Sequence, residues 1–456
     1  MCVHRTSSRG VGQESSAEPA PAARAGVGER WTPTYSGGVA SAFRKTLTDV
    51  RPLQESLDYR RLWIGNTVSQ LGQQMTAVTI AIQVYALTRS TFSVGLVGLF
   101  SLVPLITFGL YGGAIADAVD RRKLALVASL GLWALSLVLV VQAATGLESV
   151  WLLYAVVALQ SGCFAVTNPT RAAIVPRLVS KELLPAANAL NMASFNLGFT
   201  VGPLLGAVAI GAKGYTFAYA IDAVTFTAAV YSLFKLPPIP PQPLEGQAPT
   251  RPGLRSVVEG FRFLRGARNL RMTFILDMCA MVLAQPRALF PAVAGGFFGG
   301  GVRTVGLLQA APAIGSLLAF LFSGWVSKIR RQGVAIALCV IAYGGAVAAF
   351  GFARALLVGV LFLALSGAAD MVSAAYRSTI LQVAAPDNLR GRLQGVFTVV
   401  VAGGPRMGDF VAGSTAALTT PTLALVGGGL ACVAGVLFFS ARERAFLGYD
   451  ARHPTP

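Results

Sequence analysis

Twelve apolar segments, each about long enough to cross a bilayer, follow one another along most of this chain. They lie near 62–87, 93–116, 124–144, 150–173, 188–210, 215–235, 272–293, 303–326, 332–352, 355–378, 393–417 and 422–440. A spanning helix needs about 20 mostly apolar residues, and a backbone inside hydrocarbon must satisfy its own N–H and C=O groups. The series therefore predicts an all-α polytopic membrane protein of about 12 transmembrane helices, with the lipid bilayer as its first partner. Only 12% of the 456 residues are charged and the mean hydropathy is +0.63, values that exclude a soluble enzyme and a disordered scaffold.

The formal charge of +18 does not mark a nucleic-acid partner, because the basic residues are scattered between apolar runs instead of sharing one surface. With both termini placed in the cytoplasm, most of them gather on that side. Only Arg89, Lys213, Arg303 and Arg354 fall in the loops on the other. This asymmetry predicts a multi-pass protein of the cytoplasmic membrane with both ends inside.

The organisation read from composition has five parts. Residues 1–56 are rich in Ser, Ala, Gly, Pro and Arg, without periodicity and without the apolar core of a secretory signal, and are expected to be a disordered cytoplasmic tail. A first six-helix bundle is expected over 57–235. The prolines from Pro237 to Pro243 open a cytoplasmic linker over 236–270. Within it Arg255, Glu259, Arg262 and Arg265 alternate with Leu254, Val257, Val258, Phe261 and Leu264 at helical spacing, as in an amphipathic helix lying on the inner leaflet. A second bundle over 271–441 and a short tail, 442–456, complete the chain.

The two bundles repeat in parallel. Gly98-Leu99 and Pro104 recur 208 residues later as Gly306-Leu307 and Pro312. Arg171, Ile174, Gly198 and Gly202 recur 206 residues later as Arg377, Ile380, Gly404 and Gly408. Two pseudo-symmetric halves of this kind mark secondary transporters with a central site between the bundles.

The strongest local signal is the run from Gly112 to Lys123, with Gly113, Asp117, Asp120, Arg121 and Arg122 between the second and third segments. It resembles motif A of the major facilitator superfamily, and the resemblance implies a gate: Asp117 at a helix N-terminus or paired with an arginine, and a basic cluster held at the anionic inner surface. The matching stretch of the second half, Gly324 to Lys328, has lysine where the acid should be. Gly198, Gly202, Pro203 and Gly206 in the fifth segment resemble the superfamily's antiporter motif, except that Ala207 replaces its last glycine. Small residues four apart give a close-packing face, and Pro203 permits a kink; a generic packing face is the alternative reading.

Nearly the whole core is similar to the enterobactin-exporter group among drug-efflux facilitators. The likeness rests on Tyr59 to Gly72, Pro291, the stretch from Leu236 to Leu264 with its Gly260-Phe261-Arg262-Phe263-Leu264, and Gly408-Asp409. It implies the major facilitator fold and proton-driven export of a siderophore or an amphipathic drug, hence a role in multidrug resistance, by a chain that is expected to act as a monomer. The arginine that many drug antiporters carry within helix four would fall near Ala158, so their coupling scheme does not transfer.

Ionisable side chains inside a bilayer are costly and are functional candidates by default. Asp409 and Asp277 are the first proton-coupling candidates, followed by Asp222 and Asp370, each weighed against a structural salt bridge or a helix-end role. Arg287 and Arg406 also lie within apolar segments. Arg171 and Arg377, symmetry-related near the inner helix ends, read as gate arginines that would pair with Asp117 or Asp120. Ser69, Gln73, Thr76, Thr79 and Gln83 form a polar stripe on the first helix, with Asn66 and Gln70 beside it. Asn66, Gln70, Gln73, Thr76 and Gln83 are candidates to line a water-filled cavity that receives the small-molecule substrate; satisfying one another between helices is the alternative.

Five isolated cysteines without ligand spacing read as core residues, and both histidines lie in the tails. No metal and no cofactor are expected, and proton chemistry within the membrane falls to carboxylates. The chain has no HExxH, GxSxG, dinucleotide fingerprint or GxxxxGK[ST], so neither enzymatic activity nor ATP hydrolysis is expected. An importer or uniporter of the same fold and a non-transporting receptor are the competing readings; the exporter-type motif opposes the first, and gate motifs with intramembrane acids oppose the second.

Overall fold

The computed structural model describes residues 49–240, 262–384 and 390–450, with only the backbone of 110–118, 325, 327, 328 and 390–399. The helices are α1 (Leu57–Thr88), α2 (Thr91–Ala118), α3 (Arg121–Thr145) and α4 (Val150–Leu178), then one run, Leu184–Phe234, that divides into α5 (184–212) and α6 (215–234). The second half holds α7 (Arg268–Phe298), α8 (Val302–Leu321), α9 (Gln332–Phe352), α10 (Leu356–Ala384), α11 (Arg390–Leu418) and α12 (Pro421–Arg442). Most of the amphipathic stretch expected over 254–265 lies outside the described residues.

Local chemistry sets the boundaries. Ser56, Asp120, Ser149 and Thr420 precede α1, α3, α4 and α12, and each side chain accepts a hydrogen bond from a first-turn N–H that the helix leaves unpaired. Gly146, at φ 68°, closes α3 in the left-handed conformation that a residue without Cβ adopts at no steric cost. Lys213 and Gly214 leave helical geometry and separate α5 from α6. Pro203 stays inside a regular helix, so the break in this run is at the Lys213-Gly214 turn and not at the antiporter-type proline.

The seventh segment departs from expectation. The spacing predicts one helix over 272–293, whereas α7 is regular only to Met278. It passes through a π-helical turn at Cys279–Leu283 and a 3-10 turn at Arg287–Leu289 before resuming at Phe290. Pro286 has no N–H to donate and restricts the residue before it, which prevents an unbroken ladder there. α1 and α11 fall outside the set of helices apolar enough to span by composition; they are the two that carry the amide stripe and the Arg406–Asp409 pair.

Within each half, close approach of backbones organises the packing. Gly198, Gly202 and Gly206 of α5 form a track for α1: a Cβ at these places would stand 3.4 Å from Gln70 Cβ, 2.6 Å from Gln74 Cβ and 3.1 Å from Met75 Cα. In the second half α8 and α10 meet at Gly315 and Gly367, and α9 meets α12 at Gly344 and Gly429. The halves join through two symmetry-related seams. Gly98 of α2 lies against Arg406 and Asp409 of α11, and Gly306 of α8 lies against Pro203 and Ala207 of α5. Because 98 and 306 differ by 208, and 203 and 409 by 206, the repeat in sequence is a two-fold repeat in space.

Candidate functional site

The two symmetry-related arginines are the points at which the halves differ most. On α10, Arg377 is 6% exposed and forms ion pairs with Asp277 of α7 and, at 3.2 Å, with Asp370 two turns earlier on the same face of its own helix. Asp277 is 4% exposed, whereas 38% of the Asp370 side chain remains open. A buried guanidinium is costly unless carboxylates lie close to it, and the π-turn after Met278 follows directly on the residue that meets this need.

On α4, Arg171 finds no carboxylate among the described side chains. Its guanidinium donates to Asn66 Oδ1 of α1 and, at 2.9 Å, to Ser129 Oγ of α3, while its Nε is buried without a partner. The residue on α4 that corresponds to Asp370, seven positions before the arginine, is Phe164. Arg171 and Phe164 line a cavity of about 160 Å³ at the end of the bundle where α1 begins and α4 ends. Asn66, Gln70 and Gln73 contribute to its wall. Thr76 and Gln83 do not. Thr76 is buried at 3%, and Gln83, buried at 5%, accepts from Tyr219 Oη at 2.6 Å and donates to Gln142 at 3.3 Å. The stripe is thus a cavity wall over its first two turns; beyond them Thr79 donates back to Met75 O of its own helix, Thr76 Oγ1 is buried without a partner among the described residues, and Gln83 bonds across helices.

Neither arginine meets Asp120, the expected gate partner among the described side chains. Asp120 instead caps α3, accepting from the N–H groups of Arg122 (2.9 Å), Lys123 (3.3 Å) and Ile239 (3.4 Å). The helix N-terminus expected beside Asp117 is therefore served by Asp120; Asp117 lies in the last turn of α2, with its side chain outside the described residues. Gly113 shares that turn region. The basic cluster is tied to helix ends: Arg122 donates to Leu233 O (3.2 Å) and Phe234 O (2.6 Å), and Arg121 to Ala173 O (3.3 Å). Cations at the carbonyl end of α6 are favourably placed in its dipole field.

The remaining acids occupy two settings. Asp222 on α6 is fully buried and accepts from Ser136 Oγ at 2.7 Å, with no ion pair. Asp409 on α11 sits near both Arg287 and Arg406, with its Oδ1 buried and without a hydrogen-bond partner among the described residues; Asp370 also lies in the field of Arg287. Arg287 in turn lies 5.7 Å from the ring centre of Phe199 on α5, across the halves. Asp277, Asp370 and Asp409 with Arg287, Arg377 and Arg406 form a balanced set in the second half.

The family model for transmembrane secretion effectors matches residues 48–446. The chain belongs to this major-facilitator family. It is a multi-pass membrane transporter and not an enzyme. Two curated relatives, the enterobactin exporters EntS of Citrobacter koseri and of Escherichia coli O81, are each 28% identical over 367 residues, covering 80% of this chain and 86% of theirs. Among solved structures, the nucleoside transporter NupG superposes with a TM-score of 0.67 at 15% identity, covering 86% of this chain and 98% of its own, a likeness of fold.

For this transmembrane secretion effector, several site residues were not legible beforehand. Ser129 and Ser136 carry no motif, and Asn168 and Asn191, which also face the cavity, stand outside any periodic stripe. One signal was present: the 206-residue shift that relates Arg171 to Arg377 also sets Phe164 opposite Asp370.

Proposed function

We propose that this transporter exports a small amphipathic molecule, a siderophore or a drug, across the cytoplasmic membrane by proton antiport. The bundles at 57–235 and 271–441 alternate access to a central site, and both termini are cytoplasmic. The exporter relatives support the direction and the cargo class. The observation that carries the coupling is the Arg377 bridge between a buried acid and an open one. Asp277 is buried against Arg377, whereas Asp370, with 38% of its side chain open, is able to exchange its hold on Arg377 for a proton. Protonating Asp370 removes one of the two negative charges that fix the guanidinium and so changes the balance of a membrane-embedded network. Asp409, beside Arg287 and Arg406, is the second proton site, at the α2–α11 seam where the halves must move. Motif A, from Gly113 to Arg122, latches the inner gate.

The test is transport of radiolabelled siderophores and fluorescent drugs into inverted vesicles holding the purified chain, with and without an imposed pH gradient. Gradient-driven uptake by the native chain is expected, with loss of at least about tenfold in Asp370→Asn and Asp409→Asn, in line with removal of an essential proton carrier. Uptake that ignores the gradient, or variants that respond to it normally, contradicts the coupling scheme.

A further inference from the structure

The cavity beside Arg171 is built differently from anything in the second half. It presents a guanidinium with no carboxylate among the described side chains within ion-pair distance, held in place by the neutral partners Asn66 and Ser129. Amides from three helices, Gln70, Gln73, Asn168 and Asn191, surround it, and Trp63, Phe164 and Phe195 supply aromatic faces. Trp63 is anchored by its indole N–H on Leu190 O at 3.1 Å, and Tyr59 by its hydroxyl on Ala187 O at 2.9 Å, so this wall is preformed. Asn66 and Ser129 orient the guanidinium without neutralising it. A charge kept in a part-buried apolar setting without a counter-ion is costly, and the cost falls when an anion of the right shape arrives.

Resting on the exporter reading, we propose that this cavity is the cargo's docking site and that it selects an aromatic organic anion. The anionic oxygens take the place against Arg171 that Asp370 takes against Arg377, and the ring lies among Trp63, Phe164 and Phe195. A carboxylate is the group that a planar guanidinium recognises in a fork, a phenolate accepts through its one oxygen, and the amides have donors for a further oxygen. The second half needs no ligand to complete its arginine, because Asp277 and Asp370 already do so. The sites in the two halves therefore divide the labour: cargo charge is read in the first and protons in the second.

The experiment is calorimetric titration of the full chain in phosphatidylcholine nanodiscs with salicylate, and with its neutral isostere salicylamide. Salicylate is expected to bind the native chain more tightly than salicylamide. Arg171→Gln should weaken salicylate by about tenfold or more, the loss of a charge-assisted hydrogen-bonded pair, and leave salicylamide unchanged. Arg171→Lys should retain part of the affinity. Phe164→Asp supplies the missing internal carboxylate at the spacing that works in α10, and should abolish the preference for the anion while leaving Arg171 in place. It also keeps the proposal open to refutation should Arg171→Gln fail to fold.

No salicylate binding to the native chain, equal affinity for anion and amide, or a folded Arg171→Gln that binds normally overturns the proposal. Loss of salicylate binding on adding phosphatidylglycerol to the nanodiscs also overturns it, since the site then seats a lipid phosphate. Binding needs neither a gradient nor transport. Anion selectivity in a chain that moves no cargo in vesicles would overturn the exporter reading alone, and vesicle export without anion selectivity would overturn this assignment alone.

Discussion

Arg171 and Arg377 occupy the same register of the same repeat, yet one stands on an asparagine and a serine beside a cavity while the other is clamped between two acids. The scaffold is shared, down to the glycines that set the seams between halves. The difference rests on one position of the repeat, Phe164 against Asp370, and on the partner from the first helix of each half, Asn66 of α1 for Arg171 and Asp277 of α7 for Arg377. A duplicated bundle can therefore keep its packing and assign different chemistry to each copy, because packing depends on small residues at helix crossings and chemistry on a few polar positions between them.

The largest effect expected from this comparison follows breaking the clamped site. Arg377→Met leaves Asp277 buried with no cation, and truncating one member of a buried pair costs about 3–5 kcal/mol. Thermal unfolding of the detergent-purified chain measures it. The double variant Arg377→Met with Asp277→Leu removes both charges and should regain most of the loss; a double variant as unstable as the single one would show that Arg377 is held for another reason.

A smaller effect separates Gly408 of the α11 crossing from Gly198 of the α5 crossing, one turn apart in the register of the repeat. A Cβ at Gly408 would lie 2.0 Å from Met281 O, whereas one at Gly198 meets Gln70 Cβ at an ordinary 3.4 Å. Gly408→Ala should cost about 1–3 kcal/mol, as overpacking does, and Gly198→Ala almost nothing. Equal losses in the same unfolding assay would mean that the clearance at these two crossings does not set the cost. The smallest effect belongs to Arg171→Gln. This change removes hydrogen bonds to neutral partners and strands no opposite charge, so a loss of about 1 kcal/mol or less is expected. A loss as large as that of Arg377→Met would erase the distinction between the two sites.

The helices were legible because spanning segments declare themselves by length and hydropathy, and the duplication was legible because Gly98, Gly198 and Gly202 recur at nearly constant shifts. The glycine track of α5 was read from Gly198, Gly202 and Gly206 as an exporter's mark or a packing face, and the structure places it as the bed for α1. The partners of the arginines were not legible. Asp277 and Arg377 are a hundred residues apart, and helical spacing speaks only to neighbours three or four positions away. The stripe from Asn66 to Gln83 has one periodicity throughout, so spacing alone did not reveal that its first turns face a cavity and its later ones the buried interior.

By itself, the sequence determined the solvent, the all-α class and the two-fold repeat, since each of these is a property of local composition and of distances along the chain. Tertiary structure alone decided which charges meet. The break in α7 brings Asp277 to Arg377, and the crossing of α1 over α4 gives Arg171 an asparagine instead. Pairing between charges on different helices depends on the relative rotation and depth of those helices, which are fixed by side-chain packing across the bundle and appear nowhere in the order of residues along any one of them.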